Sequence, residues 1–418
     1  MVSESLWRDA DFRKLWAGQT VSELGSVVTR TAIPLVALIV LGAGPLQMAL
    51  LIVAASLAVL LVGLVAGAWV DRLRRRPLLI GADAMRAVLL FSIPAAYLAG
   101  VLRIEQLYVV VFLEGCLGAL FDAAYPAYVP SLIGFDRVVE GNSKLATSSS
   151  LAEIGGPGLA GGLVQAIGPP QAILVDAFSF VVSAVSLVLI RRREPARPPQ
   201  SSATPIRLEI LEALRLVRRH AVLVPLTLRS IIAHVAGSFY GVLYTIYLIQ
   251  VLHLNPLLFG LVVSAGGVGS LVASFLASRV IARFGFGPAL IWTATGASII
   301  GVLTPLAGGP VLLATVMVFL PQLIGDGLQT IEGVAELSLI QGVIPDRILG
   351  RVNATLEVFS HGIAYPLGAL LAAALAGWIG VRGVIAIGWA GMAVSILLLV
   401  FSPLPRIRQV SDVLVMEG

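Results

Sequence analysis

Long apolar stretches alternate with short polar breaks along almost the whole chain. A helix of about 20 apolar residues crosses the hydrocarbon core of a bilayer, so each stretch of that length predicts a transmembrane helix. The first half of the chain contains six: Leu15–Leu41, Leu46–Val70, Leu78–Ala99, Leu107–Val129, Asn142–Ile167 and Gln171–Ile190. The second half contains six more: Val222–Leu252, Leu257–Ala282, Ala289–Leu306, Val311–Ile344, Leu349–Ile379 and Gly383–Phe401. The pattern predicts an all-α polytopic membrane protein with twelve transmembrane helices in two six-helix halves.

The composition excludes a water-soluble globular protein. Of the 418 residues, 58% are hydrophobic and 12% are charged, whereas a soluble domain carries about 25% charged residues. The mean hydropathy is +0.97. The chain has one cysteine, Cys116, which rules out an intrachain disulfide and a cysteine-based zinc site. We expect no metal site and no cofactor.

Positive charges are distributed unevenly between the polar breaks. Most of the 28 Lys and Arg residues lie in one set of breaks, in clusters such as Arg74–Arg76 and Arg191–Arg193, while Arg103 and Arg382 lie in the other set. The positive-inside rule then places both termini in the cytoplasm, in a multi-pass protein of the inner (cytoplasmic) membrane. Because topology accounts for the net charge of +5, we expect no nucleic-acid partner.

A polar segment divides the chain near its midpoint. Residues 191–221 begin as a linker rich in Pro, Arg and Ser and continue into Ile206–Arg219, whose apolar residues recur at helical spacing. That spacing is typical of an amphipathic helix on the membrane surface. We therefore predict an N-terminal half at residues 1–190, a C-terminal half at residues 222–402 and a cytoplasmic tail at residues 403–418.

The two halves contain similar segments at matching positions, which indicates a duplication. One example is the pair Pro157–Ala160 and Pro366–Ala369. Two repeated halves are typical of a transporter whose substrate site lies near the bilayer midplane, at the interface of the halves.

The break after the second span carries a motif. The segment Gly67–Arg76 reads GAWVDRLRRR and resembles the loop signature of the major facilitator superfamily, although Arg74 stands where a glycine is usual. The resemblance extends from about Phe12 to Phe401. It implies a cytoplasmic gate formed by residues of this loop and of the fourth span: Gly67, Asp71, Arg72, Arg75, Arg76 and Asp122. The alternative is that these arginines only set the topology.

Two further segments resemble one branch of that superfamily. The fifth span contains IGGPGLAG at Ile154–Gly161, which is similar to the Gly-Pro signature of antiporters and implies a bend at Gly156, Pro157 and Gly161. The segment Pro345–Val352, PDRILGRV, is similar to the loop before the eleventh helix in exporters of macrolides and enterobactin. This branch implies efflux. The alternative for the glycines is close helix packing alone.

Polar residues follow one face of the tenth span. At about 100° per residue they share an arc of about 120°, and the opposite face is apolar. These residues are Gln322, Asp326, Gln329, Glu332 and Glu336. A polar stripe on a transmembrane helix faces water or protein rather than lipid. We interpret it as the wall of a substrate cavity; a hydrogen-bonded seam between helices is the alternative.

Arg30 lies near the middle of the first span, where a charge is costly. It needs a carboxylate partner, which Glu23, Glu153 or Asp326 could supply. The pair would be either a permanent link between helices or a switch that opens when the acid is protonated. Because surroundings of low polarity favour a neutral carboxyl group, we predict Asp326, Glu23 and Glu153 as proton-coupling residues. We assign Arg30 and Glu114 to the substrate cavity.

Aromatic and histidine side chains complete the predicted cavity. Tyr240, Tyr244 and Tyr247 recur at helical spacing on the seventh span, and aromatic rings with hydroxyl groups suit bulky amphipathic substrates. Tyrosines at a membrane interface are the alternative. Glu357 and His361 lie one turn apart on the eleventh span, where His361 would either relay protons or pack between helices.

We therefore expect a secondary active transporter that exports small amphipathic organic compounds of drug, macrolide or siderophore type by alternating access and proton antiport. Its partners would be the substrate, protons and the lipid bilayer, and we expect a monomer. The alternatives of the same fold are a lysophospholipid or other lipid transporter and a proton-coupled symporter. An intramembrane enzyme or sensor is a remote alternative, because the sequence has no HExxH, GxSxG or Cys/His motif.

Overall fold

The computed structural model describes residues 5–192, 215, 218, 220–344 and 346–417. These ranges are helical almost throughout and contain no β-strand, which confirms the predicted all-α fold class. Glycines end several of the helices. Gly134 and Gly168 have φ angles of 82° and 90°, in the left-handed region that glycine enters without the steric cost of a Cβ atom.

Six long helices precede the midpoint of the chain: α1 (Ala10–Leu35), α2 (Pro45–Arg72), α3 (Arg75–Leu98), α4 (Ile104–Ile133), α5 (Val138–Ile167) and α6 (Pro169–Leu189). A π-helical turn, Val36–Val40, extends α1. The carboxylate of Asp9 caps the start of α1, accepting hydrogen bonds from the backbone N–H groups of Asp11 and Phe12. This satisfies two donors that a helix start leaves without intrahelical partners.

The later helices are α7 (Leu223–Ile246), α8 (Pro256–Phe284), α9 (Phe286–Gly301), α10 (Val311–Leu320), α11 (Asp326–Val343), α12 (Asp346–Glu357), α13 (Tyr365–Val400) and α14 (Val410–Glu417). A π-helical turn at Tyr247–Val251 extends α7. Two more π-helical turns, Pro321–Gly325 and Val358–Ala364, join α10 to α11 and α12 to α13. Pro321 has no N–H to donate to the preceding turn, so the regular hydrogen-bond ladder is interrupted there.

Ten segments of the described chain are long and apolar enough to cross a membrane. The last of them, Val352–Val400, contains two helices that meet at Gly380, whose φ of 73° is not helical. Helix α5 has 30 residues, a length that also suffices to cross, but it is more polar than the ten. Each of the twelve predicted spans therefore corresponds to a helical segment of the structure.

The chain forms two compact units. The first unit comprises Met1–Ser202 and Asn255–Ser264, and the second comprises Ala203–Leu254 and Ala265–Gly418. The start of α8 therefore groups with the first unit. The division of the sequence into two halves, a linker and a tail remains a prediction. Most of the predicted amphipathic helix Ile206–Arg219 lies outside the described residues.

Small residues let α1 approach α6 closely in the first unit. A Cβ atom on Gly18 would overlap Ser186 Oγ, and a Cβ atom on Gly25 would overlap Ser179 Oγ. At one end of this unit, a buried apolar cluster includes Leu6, which is fully inaccessible to solvent. The close contact fixes the packing of α1 on α6.

In the second unit, α8 lies directly beside the chain that carries the polar stripe. A Cβ atom on Gly269 would overlap the carbonyl oxygen of Leu323, so only glycine permits this approach. A buried apolar cluster that includes Leu290, Leu339 and Leu404 closes one end of the unit. The approach at Gly269 sets the position of the segment in which the polar stripe begins.

Candidate functional site

A cavity of about 450 Å³, lined by both polar and apolar side chains, lies within the second unit. Its wall is formed by α7, α9, α11, α13 and the two π-helical turns Pro321–Gly325 and Val358–Ala364. Pockets of about 300–1,000 Å³ are typical of sites for small organic ligands. The cavity is therefore large enough for a small-molecule substrate.

One face of α11 and the turn before it supplies the acids of the cavity. The structure places the whole predicted stripe in its lining: Gln322, Asp326, Gln329, Glu332 and Glu336. Their common direction follows from the period of the helix, because residues three and four apart share a face. Three carboxyl groups thus line one wall.

Asp326 fits against a glycine of α8. A Cβ atom on Gly266 would overlap Asp326 Oδ2, so this glycine provides the space that the carboxyl group occupies. Beside it, Tyr240 Oη donates a hydrogen bond of 2.9 Å to Gln322 Oε1. Within the described part of the chain, no salt bridge engages Asp326. The sequence prediction missed Gly266; the glycines at 266, 267 and 269 are the signal that could have identified it.

Glu332 is engaged in a buried ion pair. Its carboxylate contacts the guanidinium group of Arg229 on α7, and the two side chains are only 7% and 12% exposed. An arginine cannot release its proton at ordinary pH, so it is neutralised here by pairing. The sequence places Arg229 in a span but does not reveal this partner, because the contact joins distant segments.

Aromatic rings form another part of the cavity wall. Tyr240 stacks on Tyr244 with ring centroids 4.2 Å apart and meets Trp389 edge to face at 6.1 Å. Trp389 and Tyr365 also line the cavity, and the sequence prediction missed both. Tyr247 lies elsewhere: it is fully buried and donates to the carbonyl oxygen of Thr304 at 2.8 Å, in a helix-joining contact.

The eleventh predicted span brings a histidine to the cavity. His361 lines it together with His234 of α7, and His361 Nδ1 lies 3.0 Å from a carboxylate oxygen of Glu357. Sequence spacing predicts the contact between Glu357 and His361, but it does not predict His234, which reaches the pair from a different helix.

Arg30 and two predicted proton-coupling acids lie in the first unit. The guanidinium group of Arg30 pairs with the carboxylate of Glu153, and these side chains are 61% and 50% exposed. Of the three acids considered for Arg30, Glu153 is thus its partner. Glu23 lines a separate small cavity of about 170 Å³ together with Tyr125 and Ser148.

Glu114 pairs with Arg86 of α3 and does not line the cavity of the second unit. Arg86 donates to one carboxylate oxygen of Glu114 through Nε at 3.0 Å and through a terminal nitrogen. The guanidinium carbon of Arg86 also lies 4.2 Å from the ring centroid of Phe180 on α6. This arrangement joins three helices of the first unit.

Two of the predicted gate arginines donate hydrogen bonds to backbone carbonyl groups. Arg75 donates to the carbonyl oxygen of Ala127, and Arg76 donates to the carbonyl oxygens of Leu187 and Val188 at 3.0 and 2.9 Å. Asp122 is exposed on α4. The side chains of the other predicted gate residues lie outside the described part of the structure: Gly67, Asp71 and Arg72.

The antiporter-like segment packs tightly within the first unit. Gly156 lies against Val27 of α1, and a Cβ atom on Gly161 would overlap the carbonyl oxygen of Pro256. Pro157 is buried inside α5. Small residues here serve close helix packing, as their spacing allows.

The described residues contain no group of three or more His, Cys, Asp or Glu side chains arranged to hold a metal ion. The structure therefore offers no conventional three- or four-ligand protein site in these ranges.

Comparison with known proteins identifies the family to which the chain belongs. A family model described as Major Facilitator Superfamily matches residues 15–364. The uncharacterized MFS-type transporter YvqJ of Bacillus subtilis (strain 168) is 24% identical over 391 residues, which are 92% of this chain and 90% of that protein. The multidrug efflux pump Tap of Mycolicibacterium fortuitum is 27% identical over 381 residues, 87% and 88% of the two proteins.

A solved structure has the same fold. A variant of the nucleoside transporter NupG matches with a TM-score of 0.76 at 11% identity, covering 93% of this chain and 98% of that chain. At this identity the likeness shows the fold and leaves the substrate open.

Proposed function

The chain belongs to the Major Facilitator Superfamily, and we propose that this multi-pass membrane transporter exports small amphipathic organic compounds by proton antiport. Family membership agrees with the resemblance in the sequence and makes the chain a transporter rather than an enzyme. The proposed cargo is a neutral or cationic molecule of drug, macrolide or siderophore type. The proposed location is the inner (cytoplasmic) membrane, with both termini in the cytoplasm and the protein acting as a monomer.

The cavity of the second unit is the observation that carries the proposal. Its wall combines aromatic rings, those of Tyr240 and Trp389, with carboxyl groups such as that of Asp326. Aromatic surface binds the apolar part of an amphipathic molecule, and a carboxylate attracts a cationic group through the electrostatic field of a cavity. A volume of about 450 Å³ suits a compound of moderate size.

Asp326 is the proposed proton-coupling residue of this cavity. Glu332 and Glu153 are each paired with an arginine, so their carboxylates already have a partner of opposite charge. Asp326 has no salt bridge among the described residues, so its charge is free to change when it takes up or releases a proton. Protonation of Asp326 would release a cationic substrate, and the transporter would then reorient. Proton movement in one direction would in this way be coupled to substrate movement in the other.

Two observations support export as the direction of transport. Tap, which is named a multidrug efflux pump, is a relative at 27% identity. The segment around Gly156 and Pro157 resembles the Gly-Pro signature of antiporters. We also propose that the basic loop from Gly67 to Arg76 acts with Asp122 as a cytoplasmic gate. Alternating access then exposes the site to each side of the membrane in turn.

Proton movement in energised everted vesicles tests this function. Macrolides, lipophilic cationic dyes, siderophores and lysophospholipids are added in turn while a fluorescent probe follows the pH gradient. We expect an organic drug or dye to dissipate the gradient in vesicles that contain the protein. The response should be absent with Asp326→Asn and retained with Asp136→Asn, a matched change at an exposed residue.

Three results would contradict the proposal. A response only to lysophospholipids would make the protein a lipid transporter, and no response from folded protein would exclude drug antiport for these compounds. An equal response from the Asp326→Asn variant would remove Asp326 from proton coupling. Elution of each variant as a single species in detergent serves as the folding control.

A further inference from the structure

A groove on the surface of the second unit lies beside the cavity of the candidate site. The groove has a volume of about 690 Å³ and runs between the start of α7 and the end of α13. Arg218, His220 and the turn at Ser402 and Pro403 form one end of it, which we call the rim. Ser395 contributes to the walls of both the groove and the cavity, so the two spaces are neighbours.

Apolar side chains from two helices line most of the groove. Val224, Leu228 and Ile232 recur every four residues on α7, so they share one face of that helix. Val394 and Leu398 lie one turn apart on α13 and line the groove from the other side. The side chains of Leu228, Ile232 and Val394 are 47%, 41% and 61% exposed. The described part of the chain therefore leaves this apolar surface uncovered.

The apolar part of the groove is about as deep as one leaflet of a bilayer. Val224 and Ile232 are eight residues apart, which is about 12 Å along a helix. Half of the hydrocarbon core of a bilayer is about 15 Å thick. An acyl chain that begins at the rim can therefore lie along α7 through most of its leaflet.

The rim of the groove carries a positive charge. Arg218 is exposed, and no carboxylate among the described residues pairs with it. The groove lining contains no Asp or Glu among the residues that the structure describes, whereas three carboxyl groups line the neighbouring cavity. A guanidinium group binds a phosphate through parallel hydrogen bonds assisted by charge. Charge complementarity therefore favours an anionic ligand with a phosphate group at the rim.

Contacts near the rim form the groove before any ligand binds. His220 Nδ1 accepts a hydrogen bond of 3.2 Å from the backbone N–H of Val222, which holds the imidazole ring at the start of α7. Leu404, in the segment that follows α13, belongs to the same buried apolar cluster as Leu223 of α7. The two helix ends are thus held together by the folded chain, and a preformed site reduces the ordering cost of binding.

We propose that this groove binds one anionic phospholipid of the leaflet that faces the cytoplasm. Its phosphate lies at Arg218, and one acyl chain lies along the apolar faces of α7 and α13. Basic pockets between transmembrane helices on the cytoplasmic side bind the headgroups of such lipids. The choice of leaflet rests on the proposed topology, and the site itself is independent of the transported compound.

Native mass spectrometry of the purified full-length protein tests the headgroup contact. Dioleoylphosphatidylglycerol and dioleoylphosphatidylcholine are added at equal concentrations in detergent. We expect the anionic lipid to be retained about fivefold more than the zwitterionic one, which is the contribution of about one basic residue near a membrane surface. Arg218→Gln should remove this preference. Arg283→Gln, a matched change at an exposed arginine of α8 outside the groove, should retain it.

A second pair of variants tests the apolar part of the groove. Leu228→Trp places a bulky ring where the acyl chain would lie, so it should remove the preference for phosphatidylglycerol although Arg218 is still present. Val272→Trp is the matched control, because Val272 is a 54% exposed residue of α8 outside the groove. This variant should retain the preference. Each variant is compared after it elutes as a single species in detergent.

Thermal unfolding distinguishes a lipid site from a simple anion site. Phosphatidylglycerol should raise the thermal transition of the parent protein and of Arg283→Gln more than phosphatidylcholine does, whereas glycerol 3-phosphate, which has no acyl chain, should not raise it. Equal retention of the two lipids by the parent, or an unchanged preference in Arg218→Gln, would overturn the proposal. A preference that survives in Leu228→Trp, or an equal rise with glycerol 3-phosphate, would also overturn it, since the acyl chain would then contribute nothing.

Discussion

Three arginines lie well inside predicted spans, away from the span ends, and each contacts a carboxylate in the structure: Arg30 pairs with Glu153, Arg86 with Glu114 and Arg229 with Glu332. A charge at the bilayer centre costs at least about 2.5 kcal/mol on insertion scales, so such residues need a partner of opposite charge. Arg229 and Glu332 form the most buried of the three pairs.

Breaking this pair on one side should be far more damaging than removing both charges. Arg229→Met leaves the carboxylate of Glu332 buried alone, which should lower the free energy of unfolding by about 3–5 kcal/mol. The double variant Arg229→Met/Glu332→Leu should recover most of that loss, because no uncompensated charge remains. Unfolding in mixed micelles with an increasing fraction of denaturing detergent measures the stability of the single and the double variant.

The matched control is Arg30→Met, at an arginine whose side chain is 61% exposed. An ion pair that water can reach contributes at most about 1 kcal/mol, so this variant should lose far less stability than Arg229→Met. Equal losses for Arg229→Met and Arg30→Met would show that burial does not govern the strength of these pairs.

At the scale of the helices, the glycines of α8 bring this helix against the segment that carries the acids. Gly269 permits contact with the backbone at Leu323, and Gly266 leaves room for the carboxyl group of Asp326. The glycine face of α8 therefore positions a proposed proton-coupling residue without contributing a polar group of its own.

Adding one methyl group to this face should disturb proton coupling. Gly266→Ala places a Cβ atom where Asp326 Oδ2 lies, so the carboxyl group must move. We expect substrate-driven proton flux to fall about tenfold or more, since misplacement by about 1 Å has large effects on functional groups. Gly237→Ala, at a glycine that lines the same cavity and has open space around its Cα, should retain flux. Equal activity of the two variants would contradict this role of Gly266.

Helix positions are predictable from the sequence because hydrophobicity and length govern insertion into a bilayer. The predicted span Asn142–Ile167 corresponds to α5, Val138–Ile167, and the predicted span Gln171–Ile190 corresponds to α6, Pro169–Leu189. The π-helical turn at Pro321–Gly325 was not predicted. A π-helical turn changes the backbone hydrogen bonds of one turn of the helix, but it leaves the pattern of apolar residues in the sequence unchanged.

The candidate site is predictable in part. Periodicity alone brings Asp326 and Glu332 to one face, since both lie on one helix. Periodicity does not select Glu153 as the partner of Arg30, and it does not bring His234 to His361, because each of these pairs joins distant segments. Such pairs depend on the relative rotation and height of two helices, which the sequence of neither helix determines.

For the whole molecule, we propose that proton movement through Asp326 drives substrate transport. The most direct measurement is uptake of a radiolabelled substrate, taken from the compounds that respond in vesicles, into proteoliposomes that contain only this protein and carry an imposed pH gradient. The gradient should drive accumulation by the parent protein. Asp326→Asn should abolish accumulation yet preserve exchange of labelled for unlabelled substrate, because only the coupling step is lost. Gradient-driven accumulation by Asp326→Asn equal to that of the parent would contradict the account.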